Sequence, residues 1–183
     1  MKPFFLLLLP LLALSAYAPA PQGTAITWLD LETAQAQMKE TPKKLFVDLY
    51  TDWCGWCKVM DKNSFAHPVI IEIMNKHFYA VKFNAEKGPE VNFKGTQYKL
   101  LPRGGKPLHE WAQAYGSTSR GLSYPTTIYF DENLNEIDVI PGYLDPHIME
   151  KILTYVGEGQ YAKGVSWEQF DATFKGRIPP SKE

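Results

Sequence analysis

The stretch Lys44-Leu-Phe-Val-Asp-Leu-Tyr50 runs directly into Thr51-Asp52-Trp53-Cys54-Gly55-Trp56-Cys57-Lys58, and this junction constrains the chain more than any other feature. Its first half is almost unbroken apolar sequence, the pattern of a central strand covered on both faces. Such a strand needs helices on each side of its sheet, so the chain reads as α/β. The second half holds the only two cysteines in 183 residues. Two thiols with two residues between them close into a small ring when they sit at the start of a helix. There the first sulfur is exposed and faces unpaired amide N–H groups and the positive end of the helix dipole. Both favour thiolate over thiol, and the thiolate is the species that attacks disulfides. The chemistry expected of the pair is reversible dithiol–disulfide exchange.

The N-terminus reads as a signal peptide over residues 1–18, followed by a Pro-rich leader over 19–25. Lys2 supplies the positive start, Phe4 to Leu14 the apolar run, and Ala16-Tyr17-Ala18 the small-x-small cleavage pattern. A retained membrane anchor is the alternative, although the run falls short of the roughly 20 residues that span a bilayer. No cysteine lies nearby to carry a lipid. Cleavage after Ala18 leaves 165 residues, enough for one well-buried core, with 18 basic against 20 acidic side chains. Nothing in that balance suggests general nucleic-acid binding. The expected location is periplasmic or secreted. In an oxidising compartment a lone cysteine pair is usually structural, but a ring closing two residues removes little chain entropy.

Local patterns place the other elements. Ile26 to Trp28 reads as a short strand, and Asp30 as the cap of a helix over Leu31 to Glu40 that stops before Pro42. A helix runs from Cys54 to about Asn63, and a second opens at Pro68 with Ile70, Ile73, Met74 and His77 at amphipathic spacing. Phe78 to Asn84 is a strand, and Leu108 to Tyr115 a short helix. Thr126–Phe130 and Glu136–Ile140 flank a turn and read as an antiparallel hairpin. A helix follows from Asp145-Pro146 to about Val156. Ser166 caps a last one with Trp167, Phe170 and Phe174 on one face, which assigns Trp167 to the core. Between Ala85 and Leu108, Val91-Asn92-Phe93 and Thr96-Gln97-Tyr98-Lys99-Leu100 alternate around Lys94-Gly95, a small hairpin with Gly95 at positive φ.

In this order the elements resemble the thioredoxin-fold superfamily, in particular exported bacterial thiol–disulfide oxidoreductases. The matching segments are Asp48 to Lys58, the strand Val81-Lys82-Phe83-Asn84, the loop Ser123-Tyr124-Pro125-Thr126-Thr127, and Gly142 after the last strand. The resemblance covers residues 26–157, leaving 158–183 as a C-terminal helical extension packed on the domain. It implies a central mixed sheet flanked by helices, here with an inserted hairpin at about 85–108. It implies Cys54 as nucleophile and Cys57 as resolving thiol. Asp48, on a strand that should be buried, has its pKa raised by burial and would exchange a proton with Cys57, with the Lys82 amine beside it. Pro125 would be cis and bring Tyr124 beside Cys54, and Trp53, Gly55, Trp56, Tyr124 and Thr126 would contact an extended polypeptide.

The implied function is reduction or isomerisation of protein disulfides, by a monomer, without an organic cofactor or metal, and with a membrane or periplasmic electron donor. A disulfide-introducing oxidase and a dithiol carrier of copper or zinc remain as alternatives. Metal carriage needs about four ligands, and His67, His77, His109 and His147 are not at metal-finger spacing. Covalent haem needs histidine where Lys58 stands. The Gly-Trp interior differs from the Gly-Pro of cytosolic thioredoxins, so reductant strength does not carry over. Lys87, Lys94, Lys99, Arg103 and Lys106 in the insertion read either as a solvated face or as a partner surface.

Overall fold

The computed structural model describes residues 23–180; the expected signal peptide and residues 19–22 of the leader lie outside the described residues. The first strand, β1, is Trp28–Leu29 rather than Ile26 to Trp28. The reason is local: the Thr27 amide donates to Asn75 Oδ1 at 3.0 Å instead of to a neighbouring strand, and Ile26 is buried in the core. Asp30 caps α1 (Leu31–Glu40), its carboxylate accepting from the Thr33 amide at 2.7 Å. β2 (Lys44–Tyr50) follows, then α2 (Gly55–Asn63), α3 (Pro68–His77) and β3 (Phe78–Asn84).

The insertion differs in detail from its expected form. β4 (Val91–Phe93) and β5 (Thr96–Tyr98) make the hairpin, with both turn residues left-handed, Lys94 at φ 54° and Gly95 at φ 81°. That is the turn whose twist matches a two-residue hairpin. Leu100 leaves this ribbon: β6 (Leu100–Leu101) pairs with β7 (Leu108–His109) across the Arg103-Gly104-Gly105-Lys106 loop. The helix expected from Leu108 therefore starts later, as α4 (Glu110–Gly116). His109 caps it through Nδ1, which accepts from the Trp111 amide at 3.1 Å, while Nε2 lies 2.8 Å from the Pro89 carbonyl. An accepting Nδ1 requires the proton on Nε2, so the ring donates to Pro89 and is neutral. Burial keeps the His109 pKa below that of an ordinary histidine, in agreement.

β8 (Thr126–Phe130) and β9 (Glu136–Pro141) form the expected hairpin, with a register irregularity between Tyr129 and Phe130. α5 (Pro146–Gly157), a 3₁₀ turn at Tyr161–Lys163 and α6 (Trp167–Thr173) complete the described chain. Ser166 and Gln169 close a reciprocal capping box at α6. The extension is tied down by Glu150 of α5, which accepts from the amides of Arg177 and Ile178. Trp167 is not a core residue: it is 38% exposed, its ring edge-on to Tyr155, because Phe170 takes the buried position on that helix.

One mixed sheet in the order β1-β3-β2-β8-β9 separates two cores. β2 lies parallel to β3 and antiparallel to β8. Strand alternation deals its residues to opposite sides. Phe46 joins Met60, Phe65, Ile70, Met74, Tyr129 and Leu153 on one face. Leu45, Val47 and Leu49 join Leu31, Ala34, Trp111 and Ile128 on the other. Val91 and Phe93 of the insertion are buried in this second core, so the insertion is part of the fold and not a surface appendage.

Candidate active site

The chain turns out of β2 at Thr51, whose carbonyl accepts from the Cys54 amide at 3.2 Å, and enters α2 with Cys54 as its N-cap. Cys54 and Cys57 are joined by a disulfide, their Cα atoms 5.3 Å apart. Cys54 Sγ accepts from the Cys57 amide at 3.1 Å, so the first sulfur occupies the place an N-cap oxygen normally takes. It thereby faces the positive end of α2, where a negative thiolate is favoured. The sequence predicts an exposed Cys54, yet it is 4% accessible and Cys57 3%. The solvent-facing surface belongs instead to the residues before them, Trp53 at 56% and Trp56 at 61%.

Two further segments come to this turn. The Tyr124–Pro125 bond is cis, and the Pro125 carbonyl accepts from the Gly142 amide at 2.8 Å. Gly142 has φ of 102°, which accounts for glycine there. Tyr124 meets Trp53 edge-on with ring centres 5.9 Å apart, and Tyr143 meets Trp56 at 5.4 Å. The four rings bracket the disulfide turn. Burial pushes the Tyr124 hydroxyl up to about 12, helped by Glu86 and opposed by Arg103. Thr126 is fully buried and its hydroxyl donates to the Ser123 carbonyl at 2.8 Å, so its side chain braces the loop and is not open to a partner. Gly55 opens α2 with nothing within 4 Å of where a Cβ would stand.

Asp48 shares the Phe46 face of β2 and is buried opposite Lys82 of β3, its partner in register. Lys82 Nζ donates to Asp48 Oδ2 at 2.7 Å and also to Asp61 of α2. It thus links the strand that leads into the cysteine turn with the helix that carries Cys57. Asp48 Oδ1 has no hydrogen-bond partner. Burial pushes the Asp48 carboxyl up to about 6, against the pull of Lys82. Burial lowers Lys82, but Asp48 and Asp61 outweigh it and leave the amine above an ordinary lysine. Lys82 is therefore the fixed charge, and Asp48 the member whose protonation can change near neutral pH.

Among the described residues no group of three or more His, Cys, Asp or Glu side chains is placed to hold a metal ion. His67 and His109 are helix caps, and His147 Nδ1 lies 2.8 Å from the Ile178 carbonyl. No described helix is long and apolar enough to cross a membrane.

Residues 31–157 match the family model described as a thioredoxin-like domain. The chain belongs to the thioredoxin-like family. A thioredoxin from Thermus thermophilus shares the fold, with a TM-score of 0.56 and 15% identity over 76% of this chain and 93% of that one. A thioredoxin-fold protein from Helicobacter pylori superposes with a TM-score of 0.53 and 18% identity, covering 77% of this chain and 91% of that one. The uncharacterized protein B0495.5 of Caenorhabditis elegans is 33% identical over 61 residues, a third of this chain but only 8% of that protein. Within this thioredoxin-like domain the Cys54–Cys57 pair is close enough to be bridged by a disulfide.

Three residues at the site, Asp61, Tyr143 and Glu86, are not singled out in the sequence, and a fourth, Lys106, is named there only as one of the insertion's basic residues. Asp61 stands four residues after Cys57 on the same helix face, a spacing that helical periodicity alone offers. Tyr143 directly follows the glycine at 142. Glu86 and Lys106 carry no local signal: both touch Trp53 from more than thirty positions away. Glu86 accepts from its indole N–H at 2.8 Å, and Lys106 Nζ sits 3.9 Å from its ring centre.

Proposed function

We propose that this protein reduces or isomerises disulfides in polypeptide partners outside the cytoplasm. The observation that carries the reading is the Cys54–Cys57 pair at the N-terminus of α2, with Trp53 in contact with Tyr124 of the cis-proline loop and α2 tied through Asp61 to the buried Asp48–Lys82 pair. In the reduced form the Cys54 thiolate attacks one sulfur of a partner disulfide. A mixed disulfide forms and the partner's other sulfur leaves as a thiolate, which takes a proton from solvent. Cys57 then gives its proton to Asp48 and attacks Cys54 Sγ, releasing the partner's second sulfur and closing the Cys54–Cys57 disulfide. Two electrons have passed to the partner, and a dithiol donor must return them. When the mixed disulfide is resolved by another thiol of the partner instead, the net result is isomerisation.

Asp48 suits the proton step because a carboxyl with its pKa near 6 and one unpartnered oxygen accepts and returns a proton near neutral pH. Trp53, Trp56 and Tyr124 supply aromatic surface for an unfolded or extended chain. The cleavable-looking N-terminus supports action in the periplasm or as a secreted monomer, with a membrane-bound or periplasmic dithiol as donor and no organic cofactor.

The test is turnover of insulin disulfides with dithiothreitol as reductant, together with trapping. Cys54→Ser abolishes exchange, and Cys57→Ser accumulates mixed disulfides through Cys54. Capture of nothing by Cys57→Ser, with turnover retained, overturns the roles assigned to the two cysteines. Tight stoichiometric copper or zinc on the dithiol, with no turnover, overturns the enzyme reading.

A further inference from the structure

The insertion reaches the site with both of its ends. Glu86, at its start, holds the edge of the Trp53 indole, and Lys106, near its end, covers the face. With Tyr124 edge-on as a third contact, an exposed tryptophan next to Cys54 is fixed in one orientation. Two cations of the insertion's loop lie at this edge. Lys87 at the start of the insertion is paired with Asp52, whereas the exposed Lys106 and Arg103, like most surface cations of the described chain, have no carboxylate within 4.0 Å among the described residues and are open to one from a partner. Glu86 is engaged by the indole N–H. Arg103 donates to Gln113 of α4 and stands in the same Arg103-Gly104-Gly105-Lys106 loop that brings Lys106 onto Trp53.

We propose that the 85–108 insertion is the selecting wall of the active site, with Trp53 as a fixed shelf and Lys106 and Arg103 recognising a carboxylate in the polypeptide segment that flanks the partner's cysteine. This rests on the exchange reading above and adds a substrate class to it. The selection is local. The whole chain carries a formal charge of −1, so steering by net charge alone would slightly favour basic partners, the opposite preference.

The test uses two peptides of equal length, each carrying one disulfide to a small neutral thiol, with Asp and Glu beside the cysteine in one and Lys in the other. Reduction is followed at low ionic strength with dithiothreitol as donor. Two solvent-screened charge pairs at close range give the acidic peptide an advantage in kcat/KM of about tenfold. The advantage shrinks in 0.5 M salt, as screening requires. The double variant R103E/K106E inverts the ratio. Glu86→Gln, which keeps an oxygen for the indole N–H but removes the negative charge, raises it. Equal rates for the two peptides, or a ratio unchanged in R103E/K106E, overturn the proposal while leaving the exchange reading standing. Failure to reduce either peptide overturns the exchange reading, and this proposal with it.

Discussion

Asp48→Asn should stabilise the oxidised protein at neutral pH and leave it unchanged in acid. The buried carboxyl is moved from an ordinary 3.8 to about 6. At about 1.4 kcal/mol per factor of ten, the fold holds this proton about 3 kcal/mol more tightly than the unfolded chain does. Well below pH 4 both states are protonated and the difference vanishes, and at pH 4 itself only a few tenths of a kcal/mol remain. Between pH 4 and 6 the native state binds more protons than the unfolded one, so stability falls as pH rises, and above about 6 the deficit is complete. Asparagine carries no charge to desolvate and keeps an oxygen for the Lys82 ammonium, which also retains Asp61. The value of about 6 already includes the attraction to Lys82, so the net gain expected at pH 8 is about 3 kcal/mol. Urea unfolding of the disulfide form at pH 8 and pH 4 measures it. No gain at pH 8, or the same gain at both values, refutes the reasoning, since either result means the carboxylate bears no burial penalty in the fold.

Lys82→Met should move the Asp48 titration further up, because burial then acts without the cation that opposes it; carboxyl carbon NMR against pH reads the midpoint, which should rise clearly above 6. Phe93→Ala should destabilise the protein by about 3–5 kcal/mol, since the ring is fully buried against Trp111, Tyr115 and Phe130; urea unfolding measures it, and a cost below 1 kcal/mol would return the insertion to the status of a surface loop. Glu150→Ala should release the C-terminal extension, because the amides of Arg177 and Ile178 lose their acceptor; their hydrogen-exchange protection should disappear while that of β2 persists.

Elements with strong local chemistry were legible in the sequence. Continuous apolar residues from Leu45 to Leu49 could only be a doubly covered strand, interrupted by the one carboxyl that matters. Asp30, Ser166 and the Pro68 and Pro146 starts marked helix ends because each satisfies or removes an orphan amide within a few residues. The Lys94-Gly95 turn was legible for the same reason, although the need for positive φ at Lys94 as well was not. β6 and β7 were hidden because two-residue strands have no period to detect. His109 as a cap was hidden because it ends one element and starts another, so Leu108 and His109 read as helix. The exposure expected of Cys54 failed because its neighbours are set by packing: the large rings of Trp53 and Trp56 take the solvent-facing positions around it, and no spacing encodes that. The hold on Trp53 depends on Glu86 and Lys106, whose approach is set by how the insertion packs, and no spacing along the chain encodes that.

That packing gives the insertion two jobs at once. Val91 and Phe93 anchor it in the core beneath α1 and α4, and its two ends then have fixed positions from which to reach Trp53. The hold on the indole can be sized. An exposed cation–π contact contributes about 0.5–1 kcal/mol, and one hydrogen bond to a carboxylate at the surface about 1 kcal/mol. Together they favour the observed orientation by about ten- to thirtyfold over a free rotor. This is enough to present a defined aromatic surface beside Cys54 before a partner arrives. It is also small enough for an incoming carboxylate to draw Lys106 off the ring, so the contact that orders the shelf in the free protein is one that an acidic partner can exchange for its own.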